Sequence, residues 1–350
     1  AEWVAKCNRM DEIWVPTDFN LETFRRAGVT AKLIKVPGGI DTARFRPGLK
    51  PLRVPGARGT VFLSIFEWIY RKGWDVLLRA WAEAFAPDDD VSLVLRTYPV
   101  NAADSPDTTA EIENRINRFL QEALGKSREQ VAPIVVLGAQ IPEPRLPRLF
   151  AAANVYVAPS RGEGWGRPHM QAMACGLPVI ATRWSGNLEF MNDDNSFLID
   201  VEELATIDER AEIPFYRGQR WAEPSAAHLA ALMRRVHENP KEAAAVGKRA
   251  RQDTVEHWTW GRAAQTVVER LEAISRQWAV SGFQSAVGSG QSADGGRDPS
   301  AISDKPREAA IRWEGSQFVH HSLALVNREL CLQLAKAGHE LSIIPYEPDQ

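Results

Sequence analysis

The chain has little that would cross-link or tether it. Three cysteines occur in 350 residues, Cys7, Cys175 and Cys331. They are far apart and lack paired ligand spacing, which argues against a disulfide framework or a zinc knuckle and fits a reducing, cytoplasmic compartment. No apolar run approaches the roughly 20 residues of a membrane span, and no charged-then-apolar leader opens the chain. An excess of one charge is also missing. With 42 Lys and Arg against 45 Asp and Glu, the formal charge is -3, which speaks against a nucleic-acid partner but leaves room for a local anion pocket. The opening AEWVAKCNRM does not begin with methionine and reads as a fragment or a processed chain.

What is present is an alternation of short apolar runs with amphipathic ones. TVFLSIF (60–66), VSLVLRTY (91–98), APIVVLG (132–138), VYVAPS (155–160) and LPVIATR (177–183) read as strands. Between them GWDVLLRAWAEAF (73–85), EIENRINRFLQEAL (111–124) and LPRLFAAA (146–153) read as helices. That order predicts a parallel sheet covered on both faces, with ligands at the carboxyl ends of its strands. EPSAAHLAALMRRVHENP (223–240), with Ser225 as cap, and RAAQTVVERLEAISRQWAV (262–280) read as further helices. Residues 281–308 are rich in Gly, Ser, Asp and Pro and read as a flexible linker. Beyond them AAIRWEGSQF, HSLALVNRELCLQLAKAG and HELSIIPYE read as one βαβ unit.

Residues 162–176, GEGWGRPHMQAMACG, read as a glycine loop feeding a short helix. Pro168 suits the first helical position and Gly176 the turn that ends it. Arg167 at the cap has no acceptor to offer the first N–H groups, which leaves them for an anion. Arg71 and Lys72 follow the strand at 60–66, and SGNLE (185–189) follows the one at 177–183, so three loops converge on one sheet edge. Trp165 reads equally as a platform under a sugar or base and as an aromatic anchor. His169 reads as a packing or capping residue or as a proton carrier. Trp68, Trp74 and Trp81 read as core, and the backbone at 139–142 as a base contact.

Four separated stretches carry a resemblance: VPTDFNLETFRRAGV (15–29), VPGGIDTARFRP (36–47), RKGWDVLLRAW (71–81) and PSRGEGWGRPHMQAMACGLPVIATRWSGNLEF (159–190). In this order they resemble retaining nucleotide-sugar glycosyltransferases of the GT-B fold, glycosyltransferase family 4 (glycosyl transferases group 1), over nearly all of 1–280. The resemblance implies an α/β fold with a Rossmann-like donor domain at 31–280. Residues 1–30 would end an acceptor-type domain, and 309–350 would begin another, incomplete one.

Residue by residue, the resemblance implies that Glu163 is the first acid of the family's pair, near the transferred sugar. The amides around Gly164, Trp165, Gly166 and Arg167 would embrace the donor diphosphate, and Lys72 would neutralise it. The family's arginine five residues before that lysine is Glu67 here, so Arg71 is the candidate replacement charge. Gln171 takes the place of the second acid, at the donor ribose, where it can hydrogen-bond without charge. Ser185, Gly186 and Glu189 match the turn beyond, with Glu189 a donor-site or structural contact.

The implied reaction moves a sugar from a nucleotide-diphosphate sugar to a glycan, lipid-linked or small-molecule acceptor, with retention and without metal or other cofactor. Further acceptor-domain sequence or a partner is expected to be needed. The alternative is a non-catalytic nucleotide-sugar binding module, or a piece of a tandem transferase.

Overall fold

The computed structural model describes residues 2–100, 107–288, 311–315, 322–339 and 341–345. In chain order the elements are α1 (Glu2–Cys7), β1 (Glu12–Val15), α2 (Asp18–Arg26), β2 (Lys32–Lys35), β3 (Thr60–Trp68), α3 (Trp74–Ala84), β4 (Val91–Pro99) and α4 (Thr109–Leu124). Then come β5 (Ile134–Leu137), α5 (Leu146–Phe150), β6 (Val155–Ala158), α6 (Arg167–Ala174), β7 (Val179–Thr182), β8 (Phe197–Ile199), β9 (Val201–Thr206) and β10 (Arg220–Pro224). The chain closes with α7 (Ala226–Glu238), α8 (Pro240–His257), α9 (Trp260–Gly288), β11 (Ile311–Gly315), α10 (Ser322–Lys336) and β12 (Leu341–Pro345).

The chain divides into two compact units, one of residues 1–35 with 40–258 and one of 36–39 with 259–350. The sequence reading instead draws its boundaries at 30/31, 280/281 and 308/309.

The first unit is built on a six-stranded parallel sheet ordered β5-β4-β3-β6-β7-β8. Alternation of side chains sorts its strands between two cores. Phe62, Leu93, Leu95, Val157 and Ile180 face one, with Trp81 of α3, Ile116 of α4 and Met233 of α7. Leu63, Val94, Tyr156 and Ala181 face the other, with Phe150 of α5, Met170 and Met173 of α6, and Ala250 of α8. Both faces are therefore sealed by helices, as a buried parallel sheet requires.

Strand order reverses direction between β3 and β6. The loops leaving their carboxyl ends consequently diverge and open a crevice. The β3–α3 loop holds Tyr70–Lys72, and the β6–α6 loop holds Ser160–Gly166. β9 and β10 form an antiparallel ribbon, and β1 pairs in parallel with β2.

In the second unit, β11 and β12 pair in parallel, connected through α10, which buries Leu330, Cys331 and Leu334. α9 runs to Gly288, eight residues into the stretch read as linker. No proline interrupts residues 281–288. The remainder of the predicted linker, 289–308, and residues 316–321 lie outside the described residues.

Candidate functional site

The site grows from the crevice between β3 and β6. After β3 a single 3₁₀ turn, Tyr70–Lys72, ends at Gly73 and projects Arg71 and Lys72 toward the β6–α6 loop. Lys72 Nζ donates to Glu163 Oε1 at 2.5 Å. Arg71 NH1 donates to the Gly162 carbonyl at 2.5 Å and lies 3.6 Å from the other oxygen of Glu163. Three residues singled out by sequence, Glu163, Lys72 and Arg71, thus meet as one ionic cluster.

Burial is the largest influence on both members of the pair. It lowers the pKa of Lys72, and Arg71 reinforces it. Burial alone would raise Glu163, but Lys72, Arg71 and His169 outweigh it and hold the carboxyl well below its usual range. Glu67, at the end of β3, favours the charged form of Lys72. The position that departs from the family pattern therefore supports the lysine it precedes.

Glu163 is fixed by its backbone as much as by its charges. Its N–H donates to Ser185 Oγ at 2.8 Å, and its carbonyl accepts from Gly186 N at 3.0 Å. Ser185 sits at φ 71, the one non-glycine residue in the left-handed region among those described, at a cost of about 1–3 kcal/mol. A Cβ on Gly186 would lie 2.3 Å from the Gly164 carbonyl oxygen, so only glycine permits this approach. Ser185 and Gly186 thus form a clamp on the loop that carries Glu163.

α6 starts one residue earlier than the sequence suggests. Gly166 is the N-cap at φ 94, Arg167 is the first helical residue and Pro168 the second. The left-handed cap explains the shift, because it turns the chain within one residue. No side chain caps this end. Among the described residues, the amides of Gly164, Trp165 and Gly166 have no hydrogen-bond acceptor. A helix start with unanswered N–H groups, beside two cations, has the electrostatics that favour an anion.

Behind the pair the space is nearly filled. Ser64, Tyr156, Lys72, Glu163 and His169 surround a cavity of about 10 Å³, so nothing larger than a water fits there. His169 is buried, and burial pushes its pKa down to about 4 despite the nearby Glu163. It is a neutral packing residue at ordinary pH. Gln171 is also buried.

Two other candidates stand elsewhere. Trp165 packs against Phe190 and Trp258, with ring centroids 5.1 and 5.7 Å away, so the anchor alternative describes its place. Glu189 accepts from Asp18 N at 2.8 Å and pairs with Lys35 at 2.7 Å, which joins the start of α2 and the end of β2 to the SGNLE turn. Trp81 is core; Trp68 and Trp74 stack at 4.9 Å. The sequence reading missed Arg161, which is fully buried between two carboxylates. An arginine preceding the glycine turn was its only trace. Among the described residues no group of three or more His, Cys, Asp or Glu is placed to hold a metal, and no helix is long and apolar enough to cross a membrane.

Known proteins share this architecture. The family described as glycosyl transferases group 1 matches residues 57–210. The chain is 31% identical over 169 residues to a D-inositol 3-phosphate glycosyltransferase of Acidothermus cellulolyticus, covering 47% of this chain and 36% of that one. It is 26% identical over 272 residues to a GDP-mannose-dependent alpha-(1-6)-phosphatidylinositol monomannoside mannosyltransferase of Mycolicibacterium smegmatis, covering 70% and 59%. The chain therefore spans between about a third and three-fifths of these relatives.

Among solved structures, Anabaena HepE in complex with UDP and glucose superposes with a TM-score of 0.59 at 18% identity, over 78% of this chain and 66% of that one. Sucrose-phosphate synthase from Thermosynechococcus elongatus gives 0.56 at 21%, over 80% and 61%. The shared fold is the Rossmann-like, parallel-sheet architecture of GT-B proteins. Residues 57–210, on that fold, are thus similar to the glycosyl transferases group 1 family.

Proposed function

We propose that the first unit binds a nucleotide-diphosphate sugar and, in the whole protein, transfers its sugar to an acceptor with retention of configuration. One observation carries the reading. Lys72, Arg71 and the uncapped start of α6 converge at the strand-order reversal of the sheet. Transfer develops negative charge on the departing diphosphate and positive charge on the sugar. Fixed cations and amides are suited to the first, and the ionised Glu163 to the second.

Gly164, Trp165, Gly166 and Arg167 would offer backbone N–H groups to the diphosphate, with Lys72 and Arg71 supplying charge. Gln171 would meet the ribose through its amide. Ser185 and Gly186 would act through Glu163, and Glu189 as a strut. The filled space behind the pair requires the donor to approach from the solvent side. The acceptor, a glycan, a lipid-linked sugar or a small molecule, would be met with sequence beyond this unit. The neutral Gln171 favours a second reading, binding without turnover.

Calorimetric titration with UDP-, GDP- and ADP-sugars tests the reading. Binding of one of them is expected, and failure of all three to bind folded protein would sink it. Turnover with that donor, and the anomeric configuration of the product by NMR, separate transfer from binding and retention from inversion.

A further inference from the structure

Arg161 is the largest polar side chain sealed inside the first unit, with no exposed surface. Its NH1 donates to Asp75 Oδ1 at 2.8 Å and to the Tyr70 carbonyl at 2.7 Å. Its NH2 donates to Asp75 Oδ2 at 2.9 Å and Glu223 Oε1 at 2.6 Å, and its Nε to Glu223 Oε2 at 2.7 Å. The guanidinium lies 3.8 Å from the centre of the Tyr70 ring. Both carboxylates are engaged as two-point forks, the geometry that guanidinium provides and ammonium does not.

The backbone of the same residue is spoken for as well. Arg161 N donates to the Arg71 carbonyl at 2.8 Å, and its own carbonyl accepts from Ala222 N at 3.1 Å. Glu212, on the segment between β9 and β10, accepts from Tyr70 N at 2.9 Å. Three pieces of chain therefore meet at Arg161: the turn carrying Arg71 and Lys72, the loop carrying Glu163, and the β9–β10 ribbon. Gly73 completes the contact, since a Cβ there would lie 1.9 Å from the Pro159 carbonyl oxygen.

We infer that Arg161 is a positioning residue, and that its ties to Asp75 and Glu223 let the β9–β10 ribbon set where Lys72 and Arg71 stand relative to the α6 start. The inference rests on the diphosphate reading of that pocket. Glu223 touches no member of the cluster around Glu163, so it acts through Arg161. A cation displaced by an ångström loses most of its advantage at a two-point anion. The consequence is specific to the second phosphate: a nucleoside monophosphate, held by the helix-start amides, depends less on the two cations.

The test titrates the full chain with UDP, GDP and ADP, and with UMP, GMP and AMP, in the unmodified protein and in Glu223→Gln and Arg161→Lys. Thermal unfolding is followed in parallel. Glu223→Gln keeps the shape and half of the fork, and is expected to weaken the preferred diphosphate about 10-fold. It should leave the matching monophosphate within about twofold. Arg161→Lys is expected to lower the diphosphate preference further. Unchanged diphosphate affinity in a stable Glu223→Gln protein would overturn the positioning role, as would equal loss of both ligands. If the unmodified protein binds no nucleotide, the donor reading falls, and this inference falls with it.

Discussion

Two lysine–glutamate pairs stand in the same unit, at 2.5 Å between Lys72 and Glu163 and at 2.7 Å between Lys35 and Glu189. In each, the glutamate side chain is 8% exposed. Burial is the largest single influence on both lysines and lowers both. At Lys35 two carboxylates, Glu189 and Asp18, together outweigh it and raise the pKa. At Lys72 burial prevails, helped by Arg71, and the pKa falls. The Lys35 pair is one cation shared by two acids; the Lys72 pair is one acid shared by two cations. The Lys35 pair serves as a strut. On the donor reading, the Lys72 pair offers two cations to an incoming anion.

The largest effect expected from breaking this comparison is in Lys72→Met. Removing one partner of a buried pair costs about 3–5 kcal/mol, and nucleotide-sugar binding should vanish in calorimetry. Binding that persists would end the parallel between the two cations and the ligand site.

Next comes acid. Burial holds the folded-state pKa of His169 at about 4, below the ordinary imidazole value of about 6.5. The unfolded chain therefore binds the extra proton in that window. Its stabilising contribution is complete above 6.5 and is lost as pH falls toward 4. The slope should approach about 1.4 kcal/mol per pH unit, and denaturation of His169→Gln against the parent should show it removed.

A smaller effect is expected for Gly186→Ala, whose added methyl meets the Gly164 carbonyl. Destabilisation of about 1–3 kcal/mol should accompany weakened donor binding, read by the same melts and titrations. The smallest is Lys35→Met. Its side chain is 35% exposed, so the loss should stay below about 1 kcal/mol. Donor affinity should remain within about twofold of the parent.

The sheet was readable because its strands are short apolar runs separated by amphipathic helices, and a parallel sheet buried on both faces demands that pattern. β8 escaped, being three residues long, and so did the ribbon, whose strands carry exposed polar residues. α8 was missed although Pro240 marks its first turn.

In the site, the glycines and the proline of 162–176 announced a helix start because those residue types have few other uses. The position of their loop put Lys72 and Arg71 at the same sheet edge, the family resemblance added Glu163, and the structure brings the three together. Arg161 could not be read. Its partners lie 86 and 62 residues away in sequence, and no local pattern records a pairing across such distances. Glu189 illustrates the same limit. Its sequence neighbours place it at the sheet edge, but Lys35 and Asp18, which decide its role, come from another part of the chain.

Ser185 spends its backbone in a conformation that serine ordinarily avoids, held there between the amide of Glu163 and the close packing of Gly186. The cost of ordering the Glu163 loop is thus met during folding, before any ligand arrives. A ligand that finds the loop already set loses less chain entropy on binding. On the donor reading, much of the pocket's affinity is then decided 22 residues away from the carboxylate, by a turn that acts through Glu163.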